Sequence, residues 1–412
     1  MRRTARVAAT AGEESGRPSP QVHSEQFRLP YAGLTATVAS WCGVAVARVS
    51  RRWLLVAAGA AALVGGSLVT TSAAAVTADP AVLRARIRRE TPPYTGYAES
   101  NGQLGLPEIP QLESVVALLT GTTRIRAAVA GPDRWRADEL LPAGERGVRR
   151  VGTDEYLWDF DANQLTHVVG TAAVRLPRAS DLLPPDLARR LLGFGGSDPV
   201  TALPSRRIAG RDAAGLRLVP SDPATTVGRI DVWADPVTAL PLRVEVAGRG
   251  GGPALLTTEM VELTDGPPDP AFLRIDPPPG AGAVTAKAID VAGALRVLGA
   301  PPPPASLAGR PRVTLPGGPD AQLPGVGVYG TGLAAIALVP TNRGIADQAV
   351  DAAAAAGGVT VTVPTGRAAR VTTPLLSVGV RTRGRGGSLL LGAVDPAVLD
   401  RALAELPARR PQ

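Results

Sequence analysis

With 412 residues and 45% hydrophobic side chains, the chain is long enough for two ordinary domains, and aromatics at only 3% leave Val, Leu, Ile and Ala to fill the cores. The net charge of +8 is concentrated at the start: eight of the 44 basic residues but three of the 36 acidic ones precede position 79, and beyond it the two signs alternate as on a solvated sheet, so no nucleic-acid partner is expected. A single cysteine, Cys42, excludes an intramolecular disulfide framework and a thiolate metal cluster.

Residues 53–69, WLLVAAGAAALVGGSLV, carry no charge; Arg48, Arg51 and Arg52 precede them and the small residues TTSAAA follow. Basic, apolar and small residues in that order are the layout of a signal peptide, with Ala74, Ala75 and Ala78 as candidate cleavage positions. Extended through the alanines, the run reaches the ~20 residues that span a bilayer. Segment 48–78 is therefore either a cleaved leader or a retained transmembrane anchor. Both place the rest of the chain outside the cytoplasm, in the cell envelope, secreted or tethered. No cysteine follows the run, which argues against a lipid anchor. Residues 1–47 read as a short disordered tail or as the product of a start placed too far upstream.

The mature region opens with DPAVLRARIRRE, where Asp79 is a candidate helix cap, Pro80 sits at the first helical position, and Val82, Leu83 and Ile87 form an apolar stripe. The period then changes to two. In TTRIRAAVA, Ile125 and Val129 share a face opposite Arg124 and Arg126, and in DRWRADE, Trp135 opposes Arg134 and Arg136. DEYLWDF sets Tyr156, Trp158 and Phe160 opposite Glu155 and Asp159, and the turn at 161–163 leads into QLTHVVG as a hairpin. GLRLV, GRIDV and PLRVEV repeat the alternation with Leu216 and Leu218, Ile230 and Val232, and Leu242 and Val244. Trp233 breaks the rule by sharing the polar face with Arg229 and Asp231.

Seven or more such strands with one helical patch, LLPPDLARRLL, predict a mainly antiparallel α+β domain over 79–276. The expected shape is a curved, half-open β-barrel with a single apolar concave face, covered by short helices. The twelve apolar residues just named from Ile125 to Val244 are its candidate cavity lining. So few helices leave apolar surface for something else to fill. Residues 277–319 are rich in Pro and Gly and read as an extended connector with one helical piece, IDVAGALRVL. Residues 320–412 predict a small α+β domain that ends in DPAVLDRALAEL, a helix capped by Asp395 with Pro396 next.

The sequence offers no catalytic constellation. The mature region has one histidine, His167, with no nucleophile in pattern beside it, and no His pair or carboxylate run stands at metal-ligand spacing. GFGG at 193–196 and GRGGGP at 248–253 lack the strand, helix and Lys of a phosphate loop. The expectation is a protein that is not an enzyme and carries neither cofactor nor metal.

PPYTGYAESNGQLGLPEIP, AGPDRWRADEL with DEYLWDFDANQLTHV, and above all AGRDAAGLRLVPSDPATTVGRIDVWADPVTALPLRVEV resemble the RseB/MucB and LolA group of envelope proteins over positions 80–280. The C-terminal region, with GVGVYGTGLAAIALV and LLLGAVDPAVLDRALAEL, is similar to the smaller second domain that the RseB side of the group has. The resemblance implies a half-barrel that accepts acyl chains of a lipid or lipoprotein, or the external segment of an anti-sigma factor, in a membrane-associated setting. Alternatives are a clamp on an anti-sigma factor without lipid cargo and a structural envelope module. Ala239 departs from the group's turn, which has Gly there; a left-handed backbone at this position strains Ala.

Overall fold

The computed structural model describes residues 76–89, 91–105, 113–170, 175–314 and 323–407. Residues 1–47 and the candidate positions Ala74 and Ala75 lie outside the described residues, whereas Ala78 packs against the first core. The first described element is helix α1 (Pro80–Arg89), whose first free N–H groups are taken by Asp79 Oδ1, 2.9 Å from the amides of Ala81 and Val82. Leu83 and Ile87 turn its apolar stripe inward and are buried.

Twelve strands follow in one curved, unclosed sheet: β1 (Tyr94–Gly102), β2 (Thr122–Gly131), β3 (Arg134–Leu141), β4 (Gly144–Val151), β5 (Asp154–Asp159), β6 (Gln164–Val169), β7 (Val200–Ile208), β8 (Arg211–Leu218), β9 (Val227–Ala234), β10 (Pro241–Gly248), β11 (Leu256–Asp265) and β12 (Gly282–Lys287). Their order is β12-β6-β5-β4-β3-β2-β1-β11-β10-β9-β8-β7, antiparallel except where β12 joins β6. Helix α2 (Glu113–Thr120) links β1 to β2, and α3 (Pro184–Phe194) follows a buried 3₁₀ turn, Ala179–Leu182.

The inner face is covered by α1, α3 and that 3₁₀ turn, which pack on β7, β8, β10, β11, β2 and β3. Thr258 Oγ1 on β11 donates to the Leu182 carbonyl at 2.7 Å and pins the turn down. On the outer face, arginine and carboxylate rows run across the strands. Arg217 is bidentate on Asp231 at 2.6 and 2.7 Å, and Arg243 joins Glu245 and Glu259. Trp233 shares that outer face, paired with Gly215 and Arg243. It is nevertheless buried, because Gly215 leaves room for its ring, Arg206 stacks over it at 3.9 Å, and Nε1 donates to the Pro204 carbonyl at 3.0 Å.

Residues 277–314, the described part of the expected connector, are more structured than an extended chain. They supply β12, a strand of the first sheet, as well as helix α4 (Val291–Val297), β13 (Ser306–Leu307) and β14 (Arg310–Val313). To reach β6 the chain crosses the outer face as a strap, residues 266–281, and ties on through Asn163 Nδ2 to Gly280 O at 3.1 Å. Proline and glycine serve the crossing, while the β-branched Val284 and Thr285 serve the strand.

The second sheet adds β15 (Gly327–Tyr329), β16 (Ile336–Asn342), β17 (Val359–Thr360), β18 (Ala368–Thr372), β19 (Ser377–Arg383) and β20 (Gly386–Gly392), in the order β13-β14-β15-β16-β20-β19-β18-β17. Helices α5 (Arg343–Ala355) and α6 (Pro396–Glu405) pack on it. Asp395 caps α6 as expected, accepting from Ala397 N at 2.8 Å. At its other end the fully buried Arg381 donates to the carbonyls of Leu403 at 2.6 Å and Leu406 at 2.9 Å, a cation at the negative end of the helix dipole. The loop before β9 stitches the two sheets together. Thr226 donates from its amide to Ala393 O at 3.0 Å and from its hydroxyl to Leu375 O at 2.7 Å, and Arg310 pairs with Asp222 at 3.0 Å.

Candidate functional site

Cross-strand register fixes which candidate residues share a face. Ile125, Val129, Leu216, Leu218, Ile230, Val232, Leu242 and Val244 all lie in one core under α1, α3 and the 3₁₀ turn. Trp135 packs half-buried at its margin, paired with Val129. Ile125, Leu216, Leu218, Ile230, Val232, Leu242 and Val244 have no exposed surface at all. A side chain with none touches no space that water can enter, so the middle of this face is filled by the protein's own helices.

The aromatic trio of β5 stands elsewhere. Leu157, not its neighbours, continues the inner row Ala127, Ala137, Val148. Tyr156 is in register with Arg149 and Arg136, and Trp158 with Gly147 and Asp138, on the outer face. Alternation alone makes the aromatic side of DEYLWDF look like the core side, but here the outer face is the one crossed by the strap. Arg136 Nη1 lies 3.5 Å from Phe272 O, and Trp158 is buried on that side. Phe160 belongs to neither set: it is more than half exposed in the turn after β5, against Gly144.

On the inner side of β3 to β6 a polar network centred on the 3₁₀ turn ties that turn to β5. Asp181, in the 3₁₀ turn, accepts two bonds from Arg175 at 2.6 and 2.8 Å, one from Arg190 at 2.5 Å and one from the Arg178 amide at 2.9 Å. Burial opposes its ionisation, yet these donors outweigh it and hold the carboxyl down at about 2. Arg178 reaches on to Glu155 at 2.8 Å, which fastens the turn to β5. On the same face burial raises the Glu139 carboxyl, against the pull of Arg146.

An open site lies at the edge of the second sheet, where helix α5 turns into β17. A cavity of about 680 Å³ is lined by Gly105, just after β1, by Ala352, Ala355 and Ala356 at the end of α5, and by β17 and β18. Gly357 has φ +75°, and a Cβ on Gly358 would stand 2.8 Å from Arg370 O, so only glycines let α5 turn this tightly into β17. The wall is thus mostly backbone and methyl groups. Arg370 supplies its polar floor, held by Asp400 Oδ1 at 2.7 Å and by Thr372. Beside it β17, with Val359 and Thr360 exposed, is the last strand of its sheet, and one of its edges is unpaired among the described residues. The lining residues, scattered over 105, 352–359 and 370–372, carry no sequence signature of a groove.

His167 pairs with Asp154 at 3.0 Å and stacks on Tyr156, ring centres 4.4 Å apart. That hydrogen bond, ahead of a small opposing effect of hydration loss, lowers the Asp154 carboxyl. Among the described residues no group of three His, Cys, Asp or Glu side chains could hold a metal ion, and no helix is long and apolar enough to cross a membrane.

The chain is similar in structure to MucB and to LolA-superfamily proteins. The matched chain of the Pseudomonas aeruginosa MucA/MucB complex is 16% identical, with 79% of this chain and 96% of that one covered at a TM-score of 0.43. LprF from Mycobacterium bovis is 12% identical over 51% of this chain and 100% of its own, TM-score 0.26. A LolA-superfamily protein from Nitrosomonas europaea is 13% identical over 48% and 99%, TM-score 0.23. No family model and no curated protein matches the chain.

Proposed function

We propose that this chain is a non-catalytic, RseB-like binding protein of the cell envelope that holds an extended segment of a partner protein, the external part of an anti-sigma factor, in the groove at the edge of its second sheet. The observation that carries the reading is the contrast between a half-barrel face with no free surface at its centre and a cavity of about 680 Å³ beside a strand edge that is unpaired among the described residues. A peptide laid there gains main-chain hydrogen bonds from β17 and contacts with the methyl groups of α5, the chemistry of strand addition. An acyl chain, the cargo expected from the sequence, would have to lift α1, α3 and the 3₁₀ turn first.

The test is binding of a synthetic peptide spanning the external segment of an anti-sigma factor from the protein's own host. It should bind the full chain, and Ala355→Trp, which fills the groove from an exposed helical position, should weaken it at least tenfold. Native mass spectrometry with lipid extraction is the second arm. Stoichiometric acyl lipid on protein that ignores the peptide would overturn the reading in favour of a lipid carrier. A clean protein mass with no peptide binding would leave a structural module.

A further inference from the structure

Taking the strand addition just proposed as given, we infer that Thr360 is its anchor: the Thr360 amide and carbonyl together pair with a single partner residue, one that is not proline and carries an apolar side chain.

An account of the backbone donors isolates this residue. At the end of α5 the amides of Ala356, Gly357 and Gly358 donate back to the carbonyls of Ala352 at 3.0 Å, Ala354 at 3.1 Å and Ala353 at 2.8 Å. Beyond the turn the Val361 amide donates to Ala368 O, next to β18, at 3.0 Å. In an antiparallel pair each residue turns its N–H and C=O to one side, and the side alternates along the strand. Val359, opposite Arg370, therefore faces β18 as Val361 does, and Thr360, opposite Ala369, turns both groups to the other edge. No strand lies along that edge among the described residues, and Thr360 is exposed.

The same register decides what the partner's side chain meets. Ala369, opposite Thr360, shares a core with Ala346, Val350 and Ala353 of α5, whereas Val361 belongs to the core on the α6 side, with Leu399 and Leu403. A residue paired with Thr360 carries its side chain on the same side of the sheet as Thr360 does, the α5 side. There the groove presents the methyl groups of Ala352, Ala355 and Ala356, which offer a polar side chain no hydrogen bond and leave an apolar one at no disadvantage. A second copy of the chain is a poorer occupant. β17 is two residues long, so two copies meeting edge to edge would share only the bonds of one residue pair, while an extended segment adds the groove's contacts to them.

The experiment uses the full chain and the anti-sigma-factor peptide of the binding test. Thr360→Pro removes the outward N–H and no internal bond, a change that edge strands accept. It should weaken the peptide about tenfold or more, whereas Thr360→Ala, which keeps the amide, should stay within about twofold. Single N-methylation along the peptide should find one position that abolishes binding while both of its neighbours tolerate the change, and Asp at that same position should also weaken binding. Amide exchange reads the residue in unaltered protein: the Thr360 N–H should exchange rapidly in the free chain and slow about tenfold or more in the complex, with Val361 slow in both. If the wild type binds and Ala355→Trp weakens it, but the Thr360 amide is unchanged by the peptide or Thr360→Pro binds as tightly, the anchor is overturned and the groove stands. Absence of peptide binding by the wild type overturns the groove, and the anchor with it.

Discussion

In the seven strands from β7 across to β2, the inward positions are Leu216, Leu218, Ile230, Val232, Leu242, Val244 and Ile125, closed over by helices. In the five strands from β3 to β12, Ala137, Val148 and Leu157 face inward beside Glu139, Arg146, Arg150 and Glu155. One hydrogen-bonded sheet therefore carries two kinds of core. The first half is held by apolar volume, each fully buried aliphatic side chain contributing roughly 2 kcal/mol. The second half is a thin wing held from inside by the Arg178–Glu155 ion pair at the 3₁₀ turn and from outside by the strap. The half-barrel is dry only where helices cover it.

The largest test of this difference is a matched pair of deletions. Leu216→Ala in the sealed half should lower stability by about 3 kcal/mol, because its neighbours cannot collapse onto the void. Leu157→Ala in the wing, where the side chain is already partly exposed, should cost about 1 kcal/mol. Urea unfolding of both variants measures the gap. Equal losses would mean that the wing is packed as tightly as the rest.

The second test uses acid. The Asp181 carboxyl sits at about 2 in the folded protein, below the ~3.9 of an unfolded chain. Its contribution, about 2 kcal/mol, is therefore fully present above about pH 4 and disappears as the pH falls towards 2. Asp181→Asn removes that dependence. Hydrogen exchange between pH 5 and 2.5 should show β3 and the 3₁₀ turn loosening before β9 and β10 in the wild type. Exchange that rises uniformly would show that the lid is not held electrostatically.

The same contrast explains what could be read in the chain beforehand. Asp79 with Pro80 and Asp395 with Pro396 mark α1 and α6 because capping is local chemistry, and the alternation of GRIDV and PLRVEV marks β9 and β10 because one face there is dry. Alternation says which residues of a strand share a side; it does not say which side is covered. For β5 that choice depends on the strap, contributed by residues more than 100 positions later, and Tyr156 and Trp158 stand on the side that the strap crosses. β12 was hidden in a Pro- and Gly-rich stretch, since a six-residue strand paired to β6 alone needs little periodicity of its own. The groove was illegible for a further reason: it is made of what is missing, namely side chains at Ala355, Ala356, Gly357 and Gly358.

The smallest effect concerns the β9–β10 turn, inside the sealed half. Ala239 has φ +57°, a left-handed conformation that costs an Ala about 1–2 kcal/mol and a Gly almost nothing. The turn is otherwise well satisfied, with Asp235 Oδ1 accepting from Val237 N at 2.8 Å and Thr238 N at 2.9 Å. Strain relief alone predicts that Ala239→Gly stabilises the protein. The Ala239 methyl, however, is buried in the main core, and removing it forfeits roughly 0.8 kcal/mol of burial. Glycine also adds about 0.4–1 kcal/mol of unfolded-state entropy. The opposing effects nearly cancel, so thermal unfolding of Ala239→Gly should stay within about 2 °C of the wild type. A gain well beyond that would mean that the methyl contributes less than its burial implies, and that even the sealed half retains slack at its turns.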